Sequence, residues 1–313
     1  MPEHRVKFQR LRGAASSGLD RLDRLRRRLS RRPAEGLVRP APASPLPPRR
    51  GRFQREHVLD TYKRGFEHEG RLYNYVLYPG DEALCVHFSA FFGEWGEERR
   101  NRSLYQGYFH RLRMFWPLTR FRFLFLCDTF GADRNGTYYK GEGGDFFVER
   151  AMTAIIDAVQ DEVGVDPNRV VMLGSSMGAT AALRFALERG AAGAVAVSPH
   201  IDLDLSAQFQ GRTRHVAAML GADDVESARH YPVTREVRTL AETAPLGPRI
   251  AIQSMEDDRG VHSEQVIPLV ERWRNRGGTV DCDFRPEGGH TSDYATADWF
   301  EHRILWCLDE HLD

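Results

Sequence analysis

The stretch Arg169-Val170-Val171-Met172-Leu173-Gly174-Ser175-Ser176-Met177-Gly178-Ala179 joins a short apolar run to the pattern Gly-x-Ser-x-Gly. The apolar run predicts a buried strand, and the alanine-rich residues 179–187 predict a helix that ends near Gly190. Glycines two residues before and after Ser176 permit a strand-to-helix turn that is too tight for larger side chains. We therefore predict a nucleophile elbow with Ser176 as the nucleophile. A glycine-bounded turn with an incidental serine is the alternative, and the downstream residues favour the elbow.

The composition is that of a globular protein with a basic N-terminal segment. The chain has 313 residues, of which 41% are hydrophobic and 11% aromatic, and its formal net charge is zero. Residues 1–56 carry 16 Lys and Arg against 5 Asp and Glu, so the remaining chain is acidic. Four scattered cysteines without C-x-x-C spacing argue against a disulfide scaffold and against a cysteine zinc site. No apolar run reaches the roughly 18 residues that a membrane span needs, and no secretory leader is recognisable, so we expect a cytoplasmic protein.

Residues 1–56 are expected to form a disordered arm. The first 32 residues are rich in arginine, and residues 33–50 are rich in proline, which prevents regular structure. Such a basic arm could bind an anionic partner such as acidic lipid, nucleic acid or a polyanionic polymer, although no specific nucleic-acid motif is present. A solvated tail without a dedicated partner is the simpler interpretation.

From residue 57 to the C-terminus, strand and helix patterns alternate. Near-continuous apolar runs predict strands at residues 72–77, 83–88, 121–127, 170–173, 193–197, 249–253 and 279–284, and helices are predicted at about 145–163, 263–276 and 293–312. This alternation predicts an α/β fold with a mostly parallel, doubly wound sheet covered on both faces. Residues 198–248 are too long for a plain connection and are expected to form a small helical cap, or an elaborated crossover, beside the elbow.

A serine nucleophile needs a histidine as base and an acidic side chain that orients the histidine. In chains with this elbow, the acidic residue follows the serine and the histidine comes last. His290, in Glu287-Gly288-Gly289-His290-Thr291, follows the last predicted strand and is the predicted base. His87 lies within a strand pattern and is expected in the core. His200 follows the strand after the elbow and could line the pocket, but it precedes every plausible acid.

The acid is expected just after the strand at residues 249–253. The chain there reads Glu256-Asp257-Asp258, and Asp257 fits best a position four residues beyond the strand end. Asp258 is the alternative and Glu256 ranks third.

Two backbone amides are expected to stabilise the developing oxyanion. One is that of Met177, and the other belongs to the loop that begins Ser89-Ala90, after the strand at residues 83–88. Neither H-E-x-x-H nor G-x-G-x-x-G is present at a suitable place, so we predict neither a metal nor a cofactor.

Over about residues 70–313 the chain resembles the α/β-hydrolase superfamily. The features that carry this resemblance are the elbow, the acid cluster at residues 256–258 and Gly289-His290. A narrower stretch, Cys127-Asp128-Thr129-Phe130-Gly131 followed by Gly136-Thr137-Tyr138-Tyr139, is similar to the bacterial branch that contains capsule-biosynthesis proteins and the glycan O-acetyltransferases of accessory secretion systems. The resemblance implies an α/β-hydrolase fold and the movement of an acyl group on or off a carbohydrate.

The leading functional hypothesis is a serine esterase or acyltransferase with the triad Ser176, Asp257 and His290, acting on a small-molecule or glycan ester. A serine peptidase of the same fold uses the same machinery. A third hypothesis is a non-catalytic module in the biosynthesis of capsule or envelope polymers, which would not need the full set of three residues.

Overall fold

The computed structural model describes residues 46–91, 109–222 and 232–310. Residues 1–45 of the predicted arm, and residues 223–231 of the predicted cap, lie outside this part of the chain. The described residues form one sheet with helices on both faces. No helix among them is long and apolar enough to cross a membrane.

The described residues form eight strands and nine α-helices, besides four short 3-10 or π-helical segments. The strands are β1 (Lys63–His68), β2 (Arg71–Tyr78), β3 (Leu84–Phe88), β4 (Arg122–Leu126), β5 (Val170–Ser175), β6 (Gly193–Val197), β7 (Arg249–Met255) and β8 (Val280–Arg285). The helices are α1 (Arg55–Tyr62), α2 (Leu112–Phe115), α3 (Phe147–Val163), α4 (Met177–Arg189), α5 (Leu203–Phe209), α6 (Thr213–Leu220), α7 (Glu236–Thr243), α8 (Ile267–Asn275) and α9 (Ala297–Cys307).

The strands form a single sheet in the order β1-β2-β4-β3-β5-β6-β7-β8. The pairs β1–β2 and β2–β4 are antiparallel, and all the others are parallel. The predicted mostly parallel sheet is confirmed. Each of the seven predicted strands is present, and β1 is an eighth, unpredicted strand at the edge of the sheet.

The two faces of the sheet carry two hydrophobic cores. Alternate residues of β5 point to opposite sides, so that Val170 and Met172 pack in one core and Val171 and Leu173 in the other. The first core contains the apolar faces of α3, α4 and α8, and the second contains those of α1, α2 and α9. A strand with both faces buried must be apolar along its whole length, which explains why the central strands were legible in the sequence.

The boundary predicted for the arm is too far along the chain. Arg49 is only 7% exposed, and its guanidinium donates hydrogen bonds of 2.7 to 3.3 Å to four backbone carbonyl groups between residues 115 and 121. The hydroxyl of Tyr62 donates to the carbonyl oxygen of Pro47 at 2.9 Å. Residues 46–56 are therefore part of the folded domain, because their side chains and backbone satisfy its buried polar groups.

The described part of the predicted cap is helical. It contains α5, α6 and α7, and its Glu236 forms ion pairs with Lys140 and Arg184, both almost fully buried. Arg184 also pairs with Glu149 at 2.6 Å. This network ties α7 to α3 and α4, so the segment is anchored on the domain; its role as a cap stays a prediction.

Candidate active site

Ser176 occupies a strained turn between β5 and α4. Its φ of 52° lies in the left-handed region that non-glycine residues rarely adopt. A Cβ on Gly178 would come within 2.1 Å of the carbonyl oxygen of Phe88, and a Cβ on Gly174 would come within 2.2 Å of the backbone of Gly178. The two glycines are therefore required by close backbone approach, and the turn presents Ser176 at the carboxyl end of the sheet.

His290 lies on the loop that follows β8 and reaches Ser176. Gly288 and Gly289 precede it with φ values of 137° and 62°, conformations that favour glycine. Its Nε2 lies 2.8 Å from the Ser176 Oγ, a hydrogen-bond distance. The structure thus brings together the two side chains that the sequence predicted as nucleophile and base.

Asp258, and not Asp257, contacts His290. The Asp258 Oδ2 lies 2.7 Å from the His290 Nδ1, and the side chain of Asp258 is almost fully buried. Asp257 is exposed and accepts hydrogen bonds from the backbone amides of Gly288 and Gly289 at 3.1 and 2.8 Å. These two donors lower the pKa of Asp257.

The preference for Asp257 is corrected because β7 ends later than predicted and Asp258 lies three residues, not four, beyond the strand end. The strand continues to Met255, paired with Arg285 of β8, two residues beyond the predicted end at Gln253. A turn then closes with a 3.0 Å hydrogen bond from the Asp258 amide to the Met255 carbonyl. The exposed Glu256 donates its amide to the Arg285 carbonyl at 2.7 Å and its side chain faces solvent.

Gln210 is a site residue that the sequence did not reveal. It follows α5, within the predicted cap, and its Nε2 donates to the Asp258 Oδ1 at 3.1 Å. It also lies 3.3 Å from the carbonyl oxygen of Arg259. Each oxygen of the Asp258 carboxylate therefore has a partner, and the insertion supplies one of them.

Of the three backbone amides predicted as oxyanion donors, one is available and two are already hydrogen-bonded. Met177 is the first residue of α4, so its amide has no acceptor within the helix. The amide of Ser89 donates to the Leu126 carbonyl at 3.1 Å, and that of Ala90 donates to the His110 Nδ1 at 2.9 Å. Both are occupied, which corrects the prediction for Ser89 and Ala90.

The next amide along that loop belongs to Phe91. Among the described residues it donates to no backbone or side-chain acceptor. The ring of Phe91 packs edge-on against that of Tyr138, with centroids 5.2 Å apart. The loop after β3 therefore still offers one amide.

His200 packs face to face with His290. The ring centroids are 4.9 Å apart and the ring planes differ by 24°. The Nδ1 of His200 lies 2.9 Å from the Tyr138 hydroxyl. The sequence placed His200 beside the pocket, and the contact with the base is an addition that chain order could not show.

Asp128 organises the loop that carries Tyr138. Its buried carboxylate accepts from the amides of Phe130, Thr137 and Tyr139 and from the Thr137 hydroxyl, at 2.6 to 3.2 Å. Burial nevertheless raises the pKa of Asp128. Asp128 therefore joins residues 127–131 to residues 136–139, the two parts of the stretch on which the narrower resemblance rests.

Three carboxylates come within metal-ligand distance of one another in the described residues, those of Glu149, Glu188 and Glu236. Lys140 and Arg184 lie among them and pair with them. Two cations neutralise most of the charge of the three carboxylates, so the cluster forms an ion-pair network.

Comparison with known proteins agrees with this architecture. The chain is similar in structure to the capsule O-acetyltransferase of Neisseria meningitidis serogroup A, with a TM-score of 0.61, 18% identity, and coverage of 77% of this chain and 94% of that chain. It is also similar to the S-formylglutathione hydrolase from Agrobacterium tumefaciens (TM-score 0.56, 14% identity, coverage 79% and 94%). A third similar structure is the fluorophosphonate-binding serine hydrolase F of Staphylococcus aureus, with a TM-score of 0.53, 15% identity, and coverage of 79% of this chain and 97% of that chain. At such low sequence identity, the structural similarity establishes the fold alone, which is the α/β-hydrolase fold.

Comparison with curated protein sequences gave no match. The sequence model of the prolyl oligopeptidase family matches residues 148–312, a region that contains the elbow, the acid cluster and His290. Because this match covers more than half of the chain, the protein belongs to the prolyl oligopeptidase family of the α/β-hydrolase superfamily.

Proposed function

We propose that the protein is a serine esterase or acyltransferase that acts through an acyl-enzyme. The single observation that carries the proposal is the position of His290, with Nε2 at 2.8 Å from the Ser176 Oγ and Nδ1 at 2.7 Å from Asp258. In this arrangement Ser176 is the nucleophile, His290 the general base and acid, and Asp258 the group that fixes the orientation and tautomer of His290.

In the first half-reaction the Ser176 Oγ attacks the ester carbonyl carbon while its proton passes to the His290 Nε2. The imidazolium is stabilised by the carboxylate of Asp258, and the negative charge on the former carbonyl oxygen is stabilised by backbone amides. We assign these amides to Met177 and Phe91. When the tetrahedral intermediate collapses, the bond to the alcohol breaks and His290 returns the proton to the departing oxygen.

In the second half-reaction a hydroxyl group attacks the acyl-enzyme. His290 removes the proton of the attacking water or sugar hydroxyl and then returns it to Ser176 as the acyl group leaves. Water gives hydrolysis and a sugar hydroxyl gives transfer. The same residues serve both outcomes, and the difference depends on whether the pocket excludes water.

The proposed substrate is an acylated small molecule or glycan. Two similarities support it, the stretch around Asp128 to Tyr139 and the shared fold with a capsule O-acetyltransferase. A serine peptidase is the second candidate, because the family to which the chain belongs is that of prolyl oligopeptidase. An anionic partner for the N-terminal arm and a cytoplasmic location stay predictions.

The test is turnover of p-nitrophenyl acetate, with and without acetylated or free oligosaccharides, beside a panel of short chromogenic peptides. The proposal expects ester turnover that Ser176→Ala lowers by several orders of magnitude. Ser175→Ala is the control, since the Ser175 hydroxyl accepts a 2.9 Å hydrogen bond from Arg111 and does not contact His290. Cleavage of peptides without cleavage of esters would favour the peptidase. Turnover that survives Ser176→Ala would leave only a non-catalytic role for the elbow.

A further inference from the structure

The stacked pair His200 and His290 has a feature that the triad mechanism does not use. His200 is fully buried, and its ring lies almost parallel to that of the base, with 4.9 Å between centroids. Among the described residues, its Nε2 is a buried nitrogen without a hydrogen-bond partner. Since this nitrogen belongs to a buried ring that stacks on the base, the His200–His290 pair calls for a functional explanation.

His200 is held rigidly from three sides. Its amide donates to the Thr180 Oγ1 at 3.2 Å, and its carbonyl accepts from the same hydroxyl at 2.8 Å. Its Nδ1 lies 2.9 Å from the Tyr138 hydroxyl, and Tyr138 belongs to the loop pinned by Asp128. The two bonds to Thr180 fix the backbone of His200, and the bond to Tyr138 fixes its ring.

His200 is also held in its neutral form. Burial, with smaller contributions from His290 and Arg212, lowers the pKa of His200 well below its ordinary value. Burial raises the pKa of Tyr138, so its hydroxyl stays protonated and can donate to the Nδ1 of His200. The charged and titratable groups that face His200 are thus His290, Tyr138 and Arg212, and none of them favours a second imidazolium.

We propose that His200 is a positioning residue that acts through His290, by offering a fixed, neutral aromatic face to the imidazolium that forms when His290 takes the Ser176 proton. A cation is attracted to the face of an aromatic ring, and the attraction grows when water is excluded. The ring also keeps His290 from swinging away from Ser176. This inference rests on the proposed function, since it presumes that His290 becomes charged during turnover.

The first experiment uses the unaltered protein. Histidine side chains labelled with ¹⁵N are titrated by NMR, and the resonances of His200 are assigned by their loss in His200→Phe. We expect His200 to stay neutral over the whole range in which His290 gains its proton. Protonation of His200 within that range would overturn the proposal. The titration does not require catalysis, so this result is independent of whether the proposed function is correct.

The second experiment compares His200→Phe with His200→Leu. Both replacements are apolar and similar in volume, but only phenylalanine keeps an aromatic face beside His290. We expect the leucine variant to slow acylation several-fold with little change in KM. The phenylalanine variant should stay close to the parent in both measurements.

Equal behaviour of the two variants, at equal thermal stability, would overturn the role of the aromatic face. If neither variant folds, Tyr138→Phe provides the same test from the other side. It keeps the volume of Tyr138 and frees only the Nδ1 of His200, so it should slow acylation several-fold without a change in KM. An unaltered acylation rate in Tyr138→Phe would then contradict the proposal. Loss of ester turnover in Ser176→Ala tests the proposed function separately.

Discussion

Replacement of Asp258 by Asn tests the part of the site on which sequence and structure differ. The Asp258 Oδ2 lies 2.7 Å from the His290 Nδ1, and Asp258 is only 3% exposed. Two unit charges about 4 Å apart attract by about 4 kcal/mol at an effective dielectric constant near 20. This corresponds to about a thousandfold in rate, at 1.36 kcal/mol for each factor of ten. The equivalent change in serine proteases costs about ten-thousandfold, because the imidazole also adopts the wrong tautomer.

We therefore expect Asp258→Asn to lower kcat/KM for p-nitrophenyl acetate by about a thousandfold to ten-thousandfold. Asp257→Asn is the matched control. Asp257 is the preceding residue in the same turn, but in the described part of the chain its carboxylate accepts hydrogen bonds only from the amides of Gly288 and Gly289. Since an asparagine oxygen can still accept one of these bonds, its kcat/KM should stay within about threefold of the parent.

The assay is steady-state hydrolysis at neutral pH, with thermal unfolding measured for each variant to confirm that both fold. Two results would refute the reasoning. One is a large loss of rate in Asp257→Asn with a nearly unchanged Asp258→Asn. The other is equal losses in both, which would mean that the turn as a whole matters and not one carboxylate.

Three further predictions concern stability. Arg49→Met should lower the free energy of unfolding, measured by urea denaturation, by about 3 kcal/mol, because it leaves buried carbonyl groups without donors. A milder effect would mean that water replaces the guanidinium. Gly178→Ala should prevent folding or abolish turnover, since the new Cβ would lie 2.1 Å from the Phe88 carbonyl oxygen, whereas Gly247→Ala has open space and should be neutral in the same thermal assay. The pKa of Asp257 is lower in the folded state than the ordinary value of about 3.9, so its hydrogen bonds stabilise the fold above that pH and are lost as the pH falls through the folded value. Asp257→Asn should therefore lose less stability than the parent on acidification below about pH 4, and equal losses would count against this contribution.

The central sheet could be predicted because burial on both faces forces apolar residues at every position. Strand β1 was missed for the opposite reason. It reads Lys-Arg-Gly-Phe-Glu-His, lies at the edge of the sheet, and has no fully buried residue. Helix α9 was predicted over residues 293–312 but runs from Ala297 to Cys307, and its late start is set by the Thr296 side chain, which caps its N-terminus. Local side-chain hydrogen bonds of this kind set boundaries that periodicity cannot locate.

In the candidate site too, some residues could be predicted from local sequence and others depend on tertiary contacts. Ser176 and His290 are marked by glycines that the backbone requires, so their places were legible in the sequence. The choice between Asp257 and Asp258 depended on where β7 ends and on how tightly the turn after it closes. The occupied amide of Ala90 depends on His110, twenty residues away, and the stacking of His200 on His290 depends on tertiary packing alone. No local pattern encodes such contacts.

The most direct test of the central claim, that Ser176 is activated by His290, is covalent labelling by a fluorophosphonate probe. Intact-protein mass spectrometry gives the number of adducts, and peptide mapping gives their position. The account predicts one adduct on Ser176, normal labelling of Ser175→Ala, strongly slowed labelling of His290→Ala and none of Ser176→Ala. Labelling of Ser176→Ala at the parent rate, or an adduct on a different residue of the unaltered protein, would contradict it.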